Sequence, residues 1–296
     1  MVKRKAYAKI NLALDITGKR DDGYHELRTV MQTINIFDVL TFAKNPGAIS
    51  PITIRVTEDS TIKADLGRPE ENLIYKAASL VMKSNNVNTP VIISLKKNIP
   101  VAAGLAGGSS DAAATIRGLN DLLNLKMSFD DMCKLGVNVG ADVPFCIMGG
   151  TVLAEGIGEK LRRLPNPPQC YLLIAKPDIS VSTASVYQEY DKLKDVVHPD
   201  VDSIVDGILN QDLLQISHSL GNVLEDVTIP KHPVIDNIKE SMKDMGAWNS
   251  LMSGSGPTVF GVFMDHLMAG KAEKYLIENG LAANTYVTTY MNNADT

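Results

Sequence analysis

Asn98-Ile-Pro-Val-Ala-Ala-Gly-Leu-Ala-Gly-Gly-Ser-Ser-Asp-Ala-Ala-Ala114 is the stretch whose reading decides the fold. Before it, Val91-Ile-Ile-Ser-Leu95 is a β-branched run that reads as a strand. After it, apolar residues at 112, 113, 116, 119, 122 and 123 give helical spacing over Asp111–Leu123. Strand, glycine-rich loop and helix N-terminus together suit a phosphate. Glycine lets the backbone approach an anion, and the first N–H groups of a helix lack internal partners and point outward with the positive end of the dipole. Ser109 or Ser110 is expected to cap the helix and to donate to the ligand.

A run of glycine and serine is also compatible with a plain turn or a flexible linker. The strand and the alanine-rich helix bound this one too tightly for a linker. No lysine follows the glycines, so the GxxxxGK[ST] loop is excluded, and their spacing is not the GxGxxG of a dinucleotide fold.

Composition sets the outer limits. The chain has 296 residues, enough for two modest domains, and 45% hydrophobic with 21% charged residues is the balance of a globular protein. A net charge of −5 argues against nucleic acid. Residues 1–7 are basic but no apolar segment follows, so no signal peptide is expected, and no apolar run is long enough for a membrane span. Cys133, Cys146 and Cys170 are odd in number and lack CxxC spacing, which favours reduced, buried thiols and a cytoplasmic location. His25, His198, His218, His232 and His266 show no zinc-binding spacing.

Along the chain, residues 5–15 read as a strand with Lys9 and Asn11 on one face and Ile10, Leu12 and Leu14 on the other. Taken alone, Lys9 reads as a solvated strand residue, the usual place of a lone lysine. A polar turn at 18–25 carries Tyr24 and His25, either ring surfaces for a ligand or an aromatic pair folded over the strand edge. Strands are expected at 27–43 and 51–57, a polar loop at 58–70, and an amphipathic helix over 72–83. Ser128 and Asp131 resemble a capping box before a helix at 129–139. In Gly140-Ala-Asp-Val-Pro-Phe145, Asp142 is either an N-cap, with Pro144 near the first helical position, or a carboxylate placed in a cleft. Residues 149–158 read as a strand and tight turn, and the proline cluster at 165–168 is the candidate domain boundary. Beyond it come a buried strand at 171–177, a helix capped by Ser182 or Thr183, short helices within 201–226 and a helix at 234–245. Strands at 248–252 and 258–263, a helix at 267–279 and a strand at 286–290 complete the chain. The loop at 253–256, Ser-Gly-Ser-Gly, is either a hairpin turn or a second phosphate-contacting loop.

Together these pieces resemble the GHMP family of small-molecule kinases. Pro100–Asp111 is similar to the family's phosphate loop, Met252–Gly261 to its C-terminal glycine-rich motif. Ala8-Lys-Ile-Asn-Leu12, Asp21-Asp-Gly-Tyr-His25, Gly140–Phe145 and Val181–Tyr187 narrow the resemblance to the branch that acts on a cytidyl substrate. It runs from about Lys5 to Phe263.

The resemblance implies a two-domain α+β protein. Residues 1–164 would form an N-terminal ATP-binding domain of the ribosomal S5 domain 2 type, and 165–296 a C-terminal ferredoxin-like domain contacting substrate. It implies transfer of phosphate from ATP, with Mg2+, to the 2-hydroxyl of a methylerythritol moiety in the non-mevalonate isoprenoid pathway. The loop Pro100, Val101, Ala102, Ala103, Gly104, Leu105, Ala106, Gly107, Gly108, Ser109 and Ser110 would wrap the phosphates. Asn72 and Lys97 would lie near the adenine. Asp142 would take the hydroxyl proton or orient the hydroxyl, Lys9 would hold Asp142 ionised, and Asn11 would support both. Tyr24 and Tyr187 would sandwich the cytosine while His25 reads its polar edge. No acidic pair marks a metal ligand; Ser110 is one candidate, phosphates and water the other. Ala102, Ala103 and Ala106 stand where the family is glycine-rich, and are expected to keep φ negative because Gly104, Gly107 and Gly108 remain. A homoserine- or mevalonate-type kinase and a non-catalytic ligand sensor are the alternatives, and monomer and homodimer both stay open.

Overall fold

The structure is a computed structural model and describes residues 1–63, 65 and 67–291. Ala64 and Leu66 of the loop expected at 58–70, and residues 292–296 of the second expected domain, lie outside the described residues.

Two long strands form the spine. β1 (Val2–Lys19) and β2 (His25–Lys44) pair antiparallel along most of their length, with three register shifts. The length of β2 gives it two further partners, β4 (Val91–Lys96) along residues 39–44 and β5 (Thr151–Gly156) along residues 27–32. β3 (Ile52–Val56) adds to β4 in parallel, with α1 (Leu73–Ser84) as part of the crossover. β6 (Lys160–Leu164) extends the sheet beyond β5. This strand is not expected from the sequence, because its Lys-Leu-Arg-Arg-Leu pattern is short and mostly exposed.

Helices α1, α2 (Gly107–Leu123), α3 (Phe129–Val137) and α4 (Val143–Met148) cover one end of this sheet. Their apolar faces bury Ala77, Val81, Ile116 and Leu119 against Leu40, Phe42 and Ile93. α2 lies so close to β2 that a Cβ at Gly118 would sit 2.3 Å from the Phe42 ring, so a glycine there is a packing requirement. The capping box of Ser128 and Asp131 at the start of α3 forms as expected, with both reciprocal bonds present.

The second half builds a four-stranded antiparallel sheet from β7 (Tyr171–Lys176), β9 (Asn249–Met252), β10 (Val259–Phe263) and β11 (Asn284–Thr289). The spatial order is β11-β7-β10-β9. Between β7 and β9 run α5 (Thr183–Tyr190), α6 (Val201–Leu209), α7 (Leu213–His218), the two-residue strand β8 (Gly221–Asn222), α8 (Glu225–Lys231) and α9 (Val234–Asp244). α10 (His266–Glu278) joins β10 to β11. Strand, helix, two strands, helix, strand in this order is the ferredoxin-like arrangement, as the resemblance implies.

β7 and β10 are buried on both faces, which explains their unbroken apolar runs. Leu173, Ala175, Val259 and Phe263 face α9 and α10, while Leu172, Ile174, Phe260 and Val262 face a core shared with Ile10, Leu12 and Ile34 of the first sheet. β8 pairs in parallel with β1, so the second half also contributes to the first sheet. Among the described residues, no helix is long and apolar enough to cross a membrane.

Candidate active site

A cleft of about 1030 Å³ opens where β1, the start of α2, the start of α4 and α5 converge. Its floor is the 100–109 loop. α2 begins at Gly107, earlier than the apolar spacing suggests, with Ala106 as N-cap and no side chain capping it. The expected serine cap is absent because Ser110 is turned inward, its hydroxyl donating to the carbonyl of Tyr7 at 2.7 Å. Ala102 and Ala106 adopt φ of 51° and 54°, against expectation; only Ala103 keeps out of the left-handed region. Each such alanine costs roughly 1–3 kcal/mol, so the surrounding contacts impose the loop's shape. Leu105 is buried in the shared core, and it and Ser110 are the two residues of the loop whose side chains leave the cleft.

The second glycine loop lies on the first. A Cβ on Gly104, at φ +73°, would meet the Ser253 carbonyl at 2.3 Å, and the Ser253 hydroxyl donates to the Gly104 carbonyl at 3.0 Å. The 253–256 segment is thus both the β9–β10 connection and a wall of the cleft, to which Gly254 and Ser255 contribute. The Lys9 backbone N–H donates to the Leu105 carbonyl at 3.1 Å, seating β1 beside the loop.

Lys97 stands beneath that loop and is tied down. Its Nζ lies 2.5 Å from Asp38 Oδ2 and 2.8 Å from Asp111 Oδ2, all three side chains being buried. Asp38 Oδ1 accepts from the backbone N–H groups of Asn98 and Ile99, at 2.5 and 2.9 Å. Burial pushes the Asp111 carboxyl well above the usual carboxylate range, and its Oδ1 is buried with no hydrogen-bond partner. For Lys97, burial opposes the charge but Asp111 and Asp38 outweigh it, raising its pKa. Asn72 is the N-cap of α1, its Oδ1 accepting from Ile74 and Tyr75 N–H, and it also borders the cleft.

At the other side of the phosphate loop, Lys9 Nζ donates to Asn11 Oδ1 at 2.7 Å and lies 3.8 Å from Asp142 Oδ2. That second distance is too long for a hydrogen bond, so both groups keep capacity for a ligand. Asp142 occupies the N-cap position of α4 with Pro144 in the first turn, yet its carboxylate makes no capping bond. The two readings of the sequence are therefore both realised, the backbone as helix start and the side chain as cleft carboxylate. Lys9 is buried, while the Asp142 side chain is 38% exposed.

The aromatic end is built from the β1–β2 turn and α5. His25 and Tyr187 rings pack with centroids 5.0 Å apart, and His25 Nε2 lies 2.6 Å from Asp191 Oδ1. Lys19 Nζ donates to Asp191 Oδ2, and these two partners hold the Asp191 carboxyl below its usual range. Burial raises the Tyr187 phenol, with the Asp142 carboxylate adding to the effect. Tyr24 lines the same end and is 62% exposed.

Three contributors escape sequence reasoning. Asp38 and Thr29 lie on β2 with no local motif around them. Asp191 follows Tyr187 at helical spacing, the one signal that points to it. Among the described residues, no group of three or more His, Cys, Asp or Glu side chains could hold a metal ion. Ser110 is buried and does not line the cleft, and Asp111 Oδ2 is paired with Lys97, so these residues do not build a protein cage for magnesium.

Comparison with known proteins identifies the family. The model of the GHMP kinases N terminal domain matches residues 72–150, and that of the GHMP kinases C terminal domain matches residues 204–282. The chain is 46% identical over 290 residues to the 4-diphosphocytidyl-2-C-methyl-D-erythritol kinase of Lachnospira eligens, covering 97% of each. It is 49% identical over 275 residues to that of Lachnoclostridium phytofermentans, covering 92% of this chain and 91% of the relative. A crystal structure of 4-(cytidine 5'-diphospho)-2C-methyl-D-erythritol kinase superposes with a TM-score of 0.81 at 29% identity, covering 99% of this chain and 100% of that one. A likeness of fold alone comes from L. major mevalonate kinase, with a TM-score of 0.79 at 17% identity over 99% of this chain and 96% of that one.

Proposed function

The chain belongs to the GHMP kinases and, among them, to the 4-diphosphocytidyl-2-C-methyl-D-erythritol kinases, and on that premise we propose how its residues divide the work. The enzyme transfers the γ-phosphoryl group of ATP to the 2-hydroxyl of its cytidyl substrate, a step toward isoprenoid precursors. The unassigned part is which side chains do what.

ATP lies with its phosphates on the 100–109 loop. The uncapped N-terminus of α2 and the glycine backbone supply donors where negative charge gathers. The hydroxyl oxygen bonds to the γ-phosphorus as the bridging P–O bond to the β-phosphate breaks, and that electron pair leaves with ADP. The proton goes to an Asp142 carboxylate oxygen. The transition state is loose, so positioning and charge stabilisation dominate. Lys9 supplies positive charge between Asp142 and the phosphoryl group, and Asn11 fixes Lys9. Tyr24 and Tyr187 stack on the cytosine and His25, oriented by Asp191, faces its edge. A magnesium ion bound to the ATP phosphates and water would neutralise the negative charge that gathers on the phosphoryl oxygens. Asn72 and Lys97 shape the nucleoside side, Lys97 from beneath. The lobes divide at residues 165–168, and the free thiols of Cys133, Cys146 and Cys170 suit a reducing cytoplasm.

The observation that carries this reading is the placement of Lys9 Nζ, 3.8 Å from Asp142 Oδ2, between the phosphate loop and the aromatic end. Asp142→Asn should lower kcat by at least about a hundredfold while the Kd for ATP stays unchanged. Wild-type turnover in that variant would remove Asp142 from the mechanism.

A further inference from the structure

Thr29 lies on β2 opposite Leu14 of β1 and is buried, on the border of the cleft. Its hydroxyl has one hydrogen, and that hydrogen goes to the Ala13 carbonyl at 2.6 Å, a group that only accepts. Toward Asn11 the same oxygen must therefore accept, and Asn11 Nδ2 donates to it at 2.8 Å. With its amide nitrogen held there, Asn11 presents Oδ1 to Lys9, whose Nζ donates at 2.7 Å. The chain of bonds has one possible direction, set by a backbone carbonyl at one end and an ammonium at the other.

Local strand geometry makes this chain possible. Asn11 pairs with Met31 and Ala13 with Val30, so two steps along β1 match one along β2. Such a bulge re-aims groups next to a site, and here it sets the Ala13 carbonyl against the Thr29 hydroxyl. The chemistry of the acceptor matters as well. Asn11 is neutral, so it orients the Lys9 ammonium without cancelling its charge, which stays available to Asp142 and a transferring phosphoryl group. A carboxylate in the place of Asn11 would consume that charge.

We infer that Thr29 is a positioning residue for phosphoryl transfer, holding the Lys9 ammonium in place through Asn11; this rests on the assignment of Lys9, Asn11 and Asp142 to the reacting centre. Thr29 reaches the reaction only through Asn11. Its role therefore has a signature that simple packing lacks: its loss has no further effect once Asn11 is gone.

The test is a double-mutant cycle in steady-state turnover with ATP and the cytidyl substrate. Thr29→Val keeps the shape and deletes both hydrogen bonds. It should lower kcat about tenfold with the KM for ATP within about twofold of wild type, and Thr29→Ser should restore kcat to within about twofold. In an Asn11→Ala background, adding Thr29→Val should change kcat by less than about twofold. If Thr29→Val does not fold, Thr29→Ala in the same two backgrounds carries the same expected and opposing results. Wild-type kcat in Thr29→Val beside an impaired Asn11→Ala overturns this inference alone. Effects that multiply independently, or a Thr29→Ser as slow as Thr29→Val, reduce Thr29 to packing and overturn it too. Wild-type kcat in Asn11→Ala overturns both this inference and the assignment of the reacting centre beneath it.

Discussion

Asp142 holds a position that ordinarily serves helix stability, yet its side chain makes no capping bond and lies instead beside Lys9. A capping carboxylate contributes about 1 kcal/mol to a helix start; α4 forgoes that bond, and Pro144, which lacks an N–H, removes one of the donors that would need it. The same residue-scale logic applies at the aromatic end. Tyr24 is 62% exposed with its ring open to the cleft, whereas His25 is fixed between Tyr187 and Asp191. Stacking on a base contributes about 1–3 kcal/mol, so Tyr24→Ala should raise the KM for the cytidyl substrate roughly five- to a hundredfold and leave the KM for ATP unchanged. Steady-state kinetics with each substrate varied in turn checks this; equal damage to both constants would refute the clamp. Lys9 and Asn11 were legible from the two-residue strand period, because side chains that share parity share a face. Thr29 was not, because a lone threonine on a strand acquires its meaning only from a bulge in the neighbouring strand.

At the scale of elements, the phosphate loop shows where local rules fail. Alanines at 102 and 106 disfavour a left-handed backbone, yet both adopt it because β4, α2 and the 253–256 loop fix the ends. Sequence spacing cannot report such a tertiary override. Lys97, the residue after β4, meets Asp38 of β2 and Asp111 of α2 directly under this loop. Lys97→Met leaves two buried carboxylates facing each other and should destabilise the fold by about 3–5 kcal/mol in urea unfolding at neutral pH. Asp111→Asn keeps an acceptor for Lys97 and replaces a carboxyl whose ionised form burial disfavours, so its cost should be smaller; an equal or larger loss would contradict the burial argument. The pH dependence has a defined sign. The folded pKa of Asp111 is raised above its ordinary 3.8, so the folded state keeps a proton that the unfolded state releases. Its contribution is fully present below that ordinary value and is lost as pH rises toward the folded pKa. Asp111→Asn should abolish that decline.

At the scale of the whole molecule, two sheets share one core, and the cleft lies where the loops of both meet. The family resemblance carried by the two glycine-rich motifs, Pro100–Asp111 and Met252–Gly261, indicated the two lobes and the ferredoxin-like order, and both motifs contribute to the cleft wall. The parallel pairing of β8 with β1 and the packing of one glycine loop on the other were not legible, because long-range register leaves no local pattern. The phosphate loop is shared with kinases of other acceptors, so choice of substrate belongs to the assembled cleft, where one lobe brings Lys9, Tyr24 and His25 and the other brings Tyr187. The most direct test of this account is ADP release from ATP by the intact protein, measured against 4-diphosphocytidyl-2-C-methyl-D-erythritol, homoserine, mevalonate and galactose. Turnover is expected with the cytidyl substrate alone; turnover with homoserine or mevalonate in its place would refute the assignment of substrate.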